Sequence, residues 1–378
     1  MKISIILLLL AAVCNNSPAQ KAEQKSSSYI LIGTYTGTGK DDGIFVYSFN
    51  SNTGDFELKS KISGEENPSF LTFNRKGTMV YAVNEVKDGK VSSFKFDQTK
   101  GELSFVNRVT SGGAGPCFVE VDNADKFVFV GNFAGGTLSA IPLNTDGSLK
   151  TDIQTIKHEG SSIDKNRQAS PHVHSTFLSP DKRYLLVPDL GTDKINIYSY
   201  DSKKTTSPLT PAVPAFVSVK PGSGPRHLAI HPDSKHVYLV QEMTGSVTAF
   251  DYKEGKLTEI QIISMLAPGF NGRSGAADIH ISADGKFLYA SNRGDANDIA
   301  IYSVNKAGIL THVGNQSVLG KGPRNFTIDP SGNFLLVANQ GTNEIVIFKR
   351  DKKSGMLTFT NKKIAVNRPV CLKFAPLK

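Results

Sequence analysis

Two stretches decide the fold: Asp-Gly-Lys-Phe-Leu-Tyr-Ala-Ser-Asn at 284–292 and Ser-Gly-Asn-Phe-Leu-Leu-Val-Ala-Asn at 331–339. Each is a polar turn followed by an apolar strand that ends at an amide side chain. The pattern recurs at intervals of about 50 residues, which is the length of a four-stranded propeller blade. The residues that end these strands form a polar column: Thr34, Asn84, Asn132, Asp189, Gln241, Asn292 and Asn339.

Each copy contains the same four strands. An opening residue, usually proline, precedes the first strand, and a polar turn leads to the strand that ends at the polar column. A third strand alternates with period two, and a fourth follows a glycine turn. The first strand of the amino-terminal copy is missing there and lies at 368–376. We therefore predict an all-β fold, a single seven-bladed β-propeller with four antiparallel strands per blade, closed by both termini.

The composition fits a globular domain, with 39% hydrophobic and 20% charged residues. The net charge of +9 is scattered rather than gathered in a long basic run, so we expect no nucleic-acid partner. After the amino terminus, no apolar stretch approaches the about 20 residues of a spanning helix, so we expect no membrane span.

Residues 1–19 carry one lysine, a short apolar run and small residues, which is typical of a secretory signal peptide. The polar segment 20–28 is predicted to be a linker, and 29–378 the propeller. We predict export to the periplasm or the medium. Lipid anchoring through Cys14 is the alternative, which the large residue before this cysteine disfavours.

In such a wheel, first strands line the axis, and second strands return beside them. Two columns of side chains therefore surround one mouth of the central channel. The mouth column follows the opening residues and contains Ser69, Cys117, His174, Arg226, Ala277, Arg324 and Val370. The rim column follows the polar column and contains Tyr35, Glu85, Phe133, Leu190, Glu242, Arg293 and Gln340. Residues that only support the fold should be similar in every blade. Functional residues are therefore expected at the positions where the residue type in a column changes from blade to blade.

The variation brings a histidine, two arginines and a carboxylate from consecutive blades to one mouth. We predict that these are catalytic: His174, Arg226, Glu242 and Arg293. Charges that merely pair between blades are the alternative. We assign five further residues to substrate binding: Glu85, His172, Asp189, Asn292 and Arg324. The loops at 158–171, 202–223 and 268–275 are expected to overhang the same face.

His172 and His174 form a His-x-His pair, and this spacing on a strand can hold a metal ion. No third ligand is tied to the pair by spacing, so we predict neither a metal nor a cofactor. The chain also lacks a Gly-x-Ser-x-Gly nucleophile elbow.

The motifs around these positions resemble the propeller-type lactonase family, which includes bacterial 6-phosphogluconolactonases and fungal 3-carboxymuconate cyclase. They are Ser170-Pro171-His172-Val173-His174, Gly224-Pro225-Arg226-His227, Gln241-Glu242, Ser291-Asn292-Arg293-Gly294 and Gly322-Pro323-Arg324-Asn325. The resemblance implies an active site at His174, Arg226, Glu242 and Arg293, the four residues that the columns indicate.

The first hypothesis is a hydrolase, a monomer or weak oligomer, that opens a small anionic lactone by water attack. The substrate would be 6-phosphogluconolactone-like or another aldonolactone. Glu242 or His174 would be the general base, and the arginines would bind the anionic group and the developing oxyanion. Replacing Glu242 by glutamine is then expected to abolish hydrolysis and leave the fold intact. A cycloisomerase of a carboxymuconate-type substrate and a non-catalytic binding module are the alternatives.

Overall fold

The computed structural model describes residues 27–37 and 41–377. Within these residues, all regular structure is β-strand, arranged in seven four-stranded antiparallel sheets. The predicted seven-bladed β-propeller is therefore confirmed. The predicted signal peptide and Cys14 lie outside the described residues, whereas the first strand begins at Ser27, within the segment predicted as a linker. Among the described residues, no helix has the length and apolarity that a membrane crossing requires.

Blade 1 joins the two ends of the described chain through β1 (Ser27–Thr34), β2 (Asp42–Asn50), β3 (Phe56–Ser63) and the last strand, β28 (Pro369–Phe374). Blades 2 to 4 follow in chain order: β4 (Phe70–Phe73), β5 (Met79–Asn84), β6 (Lys90–Asp97), β7 (Glu102–Thr110); β8 (Pro116–Val121), β9 (Phe127–Asn132), β10 (Thr137–Pro142), β11 (Gln154–Lys157); β12 (Phe177–Leu178), β13 (Tyr184–Asp189), β14 (Lys194–Tyr200), β15 (Leu209–Ser218). Blades 5 to 7 complete the wheel: β16 (Pro225–Ile230), β17 (His236–Gln241), β18 (Ser246–Lys253), β19 (Lys256–Ser264); β20 (Ala276–Ile281), β21 (Phe287–Asn292), β22 (Asp298–Val304), β23 (Leu310–Ser317); β24 (Pro323–Ile328), β25 (Phe334–Asn339), β26 (Glu344–Arg350), β27 (Leu357–Ala365).

The second strand of every blade ends at its member of the polar column, as the repeat predicts. These strands are apolar on both faces because each blade packs between two neighbours; all six residues of β25, for example, are buried. The polar residue that ends the strand is buried as well, and in six of the seven blades its side chain bonds to nearby backbone. Asn132 Nδ2 donates to the carbonyl of Ser111 (3.2 Å), and Asn339 Nδ2 to that of Val318 (3.0 Å). The polar column is therefore part of the scaffold.

A repeated β-bulge directs the mouth column toward the axis. In blade 5, Pro225 pairs with Gln241 and His227 pairs with Val240, so Arg226 is an extra residue without a partner in the ladder. The same shift follows the opening residue in blades 1, 3, 6 and 7. A bulge bends its strand and redirects the unpaired side chain. Several blades therefore place one side chain at the same position of the mouth, and the residue type at that position differs between blades.

Blade 4 departs from the repeat in its first strand. β12 has only two residues, preceded by an isolated bridge between Val173 and Asp189. Pro188 of β13 accepts a hydrogen bond from the His174 amide (3.0 Å). It has no N–H to donate back, however, so the ladder breaks at this point. The break lies beside His174, one of the predicted catalytic residues.

The segment 202–223 does not form the predicted loop over the mouth. It contains the ten-residue strand β15, which pairs with β14 at the outer edge of blade 4. Pro211 and Pro214 lie within this strand, and the prolines of this segment are the reason why the sequence predicted a loop. An edge strand tolerates proline because one side of its backbone has no ladder partner.

Candidate active site

Three arginines converge on one carboxylate at the channel mouth. Glu242 Oε2 accepts hydrogen bonds from Arg226 Nε (3.0 Å) and Arg293 Nη2 (2.8 Å). Its other oxygen, Oε1, accepts one from Arg167 Nη2 (2.6 Å). Three of the four predicted catalytic residues therefore form one cluster, to which the loop 158–171 adds Arg167.

Backbone carbonyls fix two of these arginines. The Arg226 guanidinium, only 2% exposed, donates through Nη1 to the carbonyl of Ala277, and Arg293 donates to those of Gly275 and Ala276 (both 3.2 Å). Nη2 of Arg226 and Nη1 of Arg293 make no hydrogen bond to the described part of the chain. Each arginine therefore keeps one nitrogen that can bind a ligand.

The protonation state of the cluster follows from its charges. Burial opposes ionisation of Glu242, but the guanidinium groups of Arg293 and Arg226 hold its pKa well below the ordinary value. Burial lowers the pKa of Arg226, and repulsion from Arg293 lowers it further. Glu242 therefore remains a carboxylate, and both its oxygens already accept hydrogen bonds, which suits an anchor for arginines better than a proton acceptor.

His174 lies in the same mouth and is almost completely buried. Its Nδ1 is 3.7 Å from the Cys117 sulfur, and its ring contacts those of Phe133 and His227. Burial and the charge of Arg226 hold the pKa of His174 well below 6.5, so the imidazole is neutral at physiological pH. No hydrogen bond from the described residues reaches Nε2, which leaves its lone pair available when Nδ1 carries the proton.

A second carboxylate lies across the mouth in blade 2. Glu85 Oε2 accepts hydrogen bonds from Tyr35 Oη (2.7 Å) and Ser69 Oγ (2.5 Å), and Arg324 Nη2 lies 3.8 Å away. A small cavity is lined by Ser69, Arg226 and Arg324 and so joins the two clusters. Glu85 and Arg324, both predicted to bind substrate, therefore share one mouth with the predicted catalytic residues.

The structure places Asp189 and Asn292 in the scaffold, which corrects their assignment to substrate binding. Both belong to the polar column and have no exposed surface. Asp189 accepts hydrogen bonds from His158 Nδ1 (2.7 Å) and the His172 amide (2.8 Å), and Asn292 Oδ1 accepts the amide of Gly275 (2.9 Å). These bonds secure the loops that lead to the mouth, so neither side chain can reach a bound molecule.

His172 lies near the mouth and is partly exposed, and its ring stacks on Phe133 with centroids 4.5 Å apart. Its Nδ1 lies 3.0 Å from the carbonyl oxygen of Phe133. Nε2 remains for a substrate, so the assignment of His172 to substrate binding stays a prediction.

Beneath the mouth lies a network of polar side chains around the buried Asp278. Asp278 accepts hydrogen bonds from His227 Nδ1 (2.8 Å), His280 Nε2 (3.0 Å) and the Asn325 side chain. Burial and the charge of Arg226 lower the pKa of His227 to about 4, so His227 is neutral and donates its Nδ1 proton to Asp278. Its Nε2 lies 3.3 Å from Nη1 of Arg226. Asp278 thereby fixes the ring against which Arg226 rests.

Replacing Asp278 by alanine is expected to lower the free energy of unfolding by about 3–5 kcal/mol, because two buried partners, His227 and Asn325, and the partly exposed His280 lose their acceptor. Asp278→Asn retains one acceptor oxygen, and its loss should be smaller, about 1–3 kcal/mol. Urea unfolding measures both values. Equal stability of Asp278→Ala and wild type would contradict a role for this carboxylate in the channel.

Tyr35, Ser69 and Arg167 are charged or hydrogen-bonded residues of the mouth that were not singled out from the sequence. Tyr35 and Ser69 belong to the rim and mouth columns, but they are uncharged, and only charged members were selected. Arg167 lies in a loop outside the repeat, so no column indicated its position. The one sequence feature that could have indicated Arg167 is the length of its loop, which is unusually long for a connection within a propeller.

Comparison with known proteins agrees with the seven-bladed fold. Residues 29–374 match the model of the family described as "Lactonase, 7-bladed beta-propeller". Two relatives are called 6-phosphogluconolactonase. The one from Formosa agariphila is 37% identical over 89% of this chain and 97% of its own. The one from Bacillus subtilis is 35% identical over 91% and 97%.

A solved structure also superposes on nearly the whole wheel. The periplasmic gluconolactonase of Pseudomonas aeruginosa has a TM-score of 0.89 and 36% identity, over 93% of this chain and all of its own. The likeness therefore extends to all seven blades. This chain belongs to the seven-bladed β-propeller lactonase family and is a lactonase.

Proposed function

We propose that the enzyme hydrolyses anionic sugar lactones at the channel mouth, with His174 as general base. One observation carries this proposal: a neutral, buried imidazole shares the mouth with four guanidinium groups, those of Arg167, Arg226, Arg293 and Arg324. A base and several hydrogen-bond donors for negative charge are what lactone opening requires.

Of the two candidate bases, His174 is favoured over Glu242. The oxygens of Glu242 are held by three arginines, and its pKa is strongly lowered, so it has little affinity for a proton. Nε2 of His174 has no hydrogen bond from the described residues, and the imidazole is neutral, so it can accept a proton. Glu242 instead holds Arg226 and Arg293 in place.

The reaction then proceeds in two steps. The water oxygen adds to the lactone carbonyl carbon while His174 Nε2 takes the water proton. The carbonyl oxygen becomes an oxyanion, which the free nitrogens of Arg226 and Arg293 stabilise as charge-assisted donors. The ring C–O bond then breaks, and His174 returns the proton to the leaving alkoxide. The new carboxylic acid ionises and releases one proton to the solvent.

The charge of the mouth supports an anionic substrate. Its four guanidinium groups face two carboxylates, Glu85 and Glu242. Asp278, one layer deeper, is engaged by His227 and His280. The mouth thus has an excess of positive charge, which attracts a phosphate or a carboxylate. The signal-like segment 1–19 and the periplasmic relative support export of the enzyme.

The test is proton release in a pH-stat with 6-phosphogluconolactone and with glucono-1,5-lactone, each corrected for spontaneous hydrolysis. We expect turnover of both, with kcat/KM about tenfold or more higher for the phosphorylated lactone, since it offers an additional charged contact. Hydrolysis adds the mass of one water to the product, whereas the product of a cycloisomerase keeps the mass of its substrate, so mass spectrometry of the product separates the two reactions. Absence of turnover across aldonolactones would contradict the proposed function.

A further inference from the structure

The loop 158–171 brings Arg167 to the mouth from outside the repeat. Its ends are anchored: Gln168 is fully buried and donates to the carbonyl of Leu190 (2.8 Å), and Ser162 Oγ donates to Asp193 (2.5 Å). Between these anchors, Asp164 Oδ1 accepts the amide of Arg167 (3.0 Å), which closes a turn. The backbone of Arg167 is therefore fixed, while its side chain extends over the mouth to Glu242.

The contact made by Arg167 differs from those of the other two arginines on Glu242. Arg226 and Arg293 also bind backbone carbonyls and are 2% and 22% exposed. Arg167 is 47% exposed, and within the described part of the chain its guanidinium has one hydrogen bond, to Glu242 Oε1. A half-exposed single contact of this kind contributes little, because water competes for both charges. Arg167 is thus the arginine that a ligand can most easily detach.

We propose that Arg167 exchanges Glu242 for the anionic group of the substrate that lies away from the lactone carbonyl. This inference rests on the proposed lactone hydrolysis and adds a specificity residue to it. The guanidinium fork suits a phosphate or a carboxylate, to which it can donate two parallel hydrogen bonds instead of one. Once Arg167 has moved, Glu242 Oε1 becomes free to accept a substrate hydroxyl. A neutral lactone offers Arg167 no such partner, so the enzyme prefers charged substrates.

The decisive variant is Arg167→Gln, with Lys165→Gln as its matched control. Lys165 is exposed on the same turn and makes no hydrogen bond to the described residues, so its replacement removes one positive charge without altering the Glu242 cluster. The kinetic readout is kcat/KM for 6-phosphogluconolactone and for glucono-1,5-lactone. A second readout, independent of turnover, is the calorimetric Kd for 6-phosphogluconate and for gluconate.

Arg167→Gln is expected to lower kcat/KM for the phosphorylated lactone about ten- to hundredfold, mainly by raising KM. The loss on glucono-1,5-lactone should be at least about tenfold smaller, and Lys165→Gln should stay within about twofold of wild type on both. Binding of 6-phosphogluconate should weaken by the same factor, whereas that of gluconate should change much less.

Equal losses on both lactones would mean that Arg167 only supports Glu242, and the proposal would be wrong. No loss on either would equally overturn it. If wild type hydrolyses neither lactone but Arg167→Gln selectively loses 6-phosphogluconate, the proposed hydrolysis fails and the role of Arg167 stands. Equal Kd values of Arg167→Gln and wild type for 6-phosphogluconate would refute the anion exchange whatever the turnover.

Discussion

Replacing Glu242 by glutamine is expected to lower kcat/KM about a thousandfold and the free energy of unfolding by about 3 kcal/mol. The sequence alone suggested that this variant would lose activity and keep its fold unaffected. The structure changes that expectation because Glu242 is the carboxylate on which Arg226 and Arg293 converge. When residue 242 carries no charge, Arg226 remains almost fully buried but has lost its ion-pair partner. The donors of the proposed oxyanion site then lose their alignment.

The control for this variant is Glu259→Gln, which makes the same change on β19 of the same blade. Glu259 is exposed and has no ion pair among the described residues. The free energy of unfolding of the Glu259→Gln variant should therefore stay within about 0.5 kcal/mol of wild type. Proton release and urea unfolding, measured on both variants, separate the two effects. A stable Glu242→Gln enzyme with normal turnover would show that the arginines do not depend on this carboxylate.

The wheel could be predicted from the sequence because its repeat is encoded locally. A polar residue after a short apolar strand marks the end of each second strand, and seven such residues gave seven blades. The first strand of blade 4 could not be predicted in this way. It breaks because Pro188, a residue of the neighbouring strand, cannot donate to it. Such a break depends on the pairing of two strands and leaves no mark in the first strand itself.

The site was predictable where a blade departs from its repeat. Arg226, Glu242 and Arg293 differ in residue type from most other members of their columns. The structure brings these three residues into one cluster. Asp189 and Asn292 were assigned to the substrate although their column is polar in every blade, and a feature shared by all blades is scaffold. Arg167 could not be placed, because a loop outside the repeat has no register that relates it to Glu242.

Replacing His174 by glutamine is expected to lower kcat about 10²–10⁴-fold, the usual contribution of a general base. The wild-type pH profile tests the same role. His174 must be neutral to accept the water proton, and its pKa is held well below 6.5 by burial and by the charge of Arg226. As the pH falls, activity is therefore lost only when the pH passes through this lowered pKa, so kcat/KM should stay level through pH 6.5 into the acidic range.

His312→Gln is the matched control, since His312 lies on the outer strand β23 and bonds to Asn315 Oδ1 (2.8 Å), far from the channel lining. It should keep both the rate and the profile of wild type. A break in the wild-type profile near pH 6.5 would assign the base to a solvent-exposed histidine instead. Loss of rate in His174→Gln together with a level acidic limb in wild type would leave a buried, neutral imidazole as the base. In that case, the guanidinium groups of the mouth attract an anionic substrate, and burial together with the charges of Arg226, Arg324 and Arg293 keeps His174 unprotonated until it accepts the proton of water.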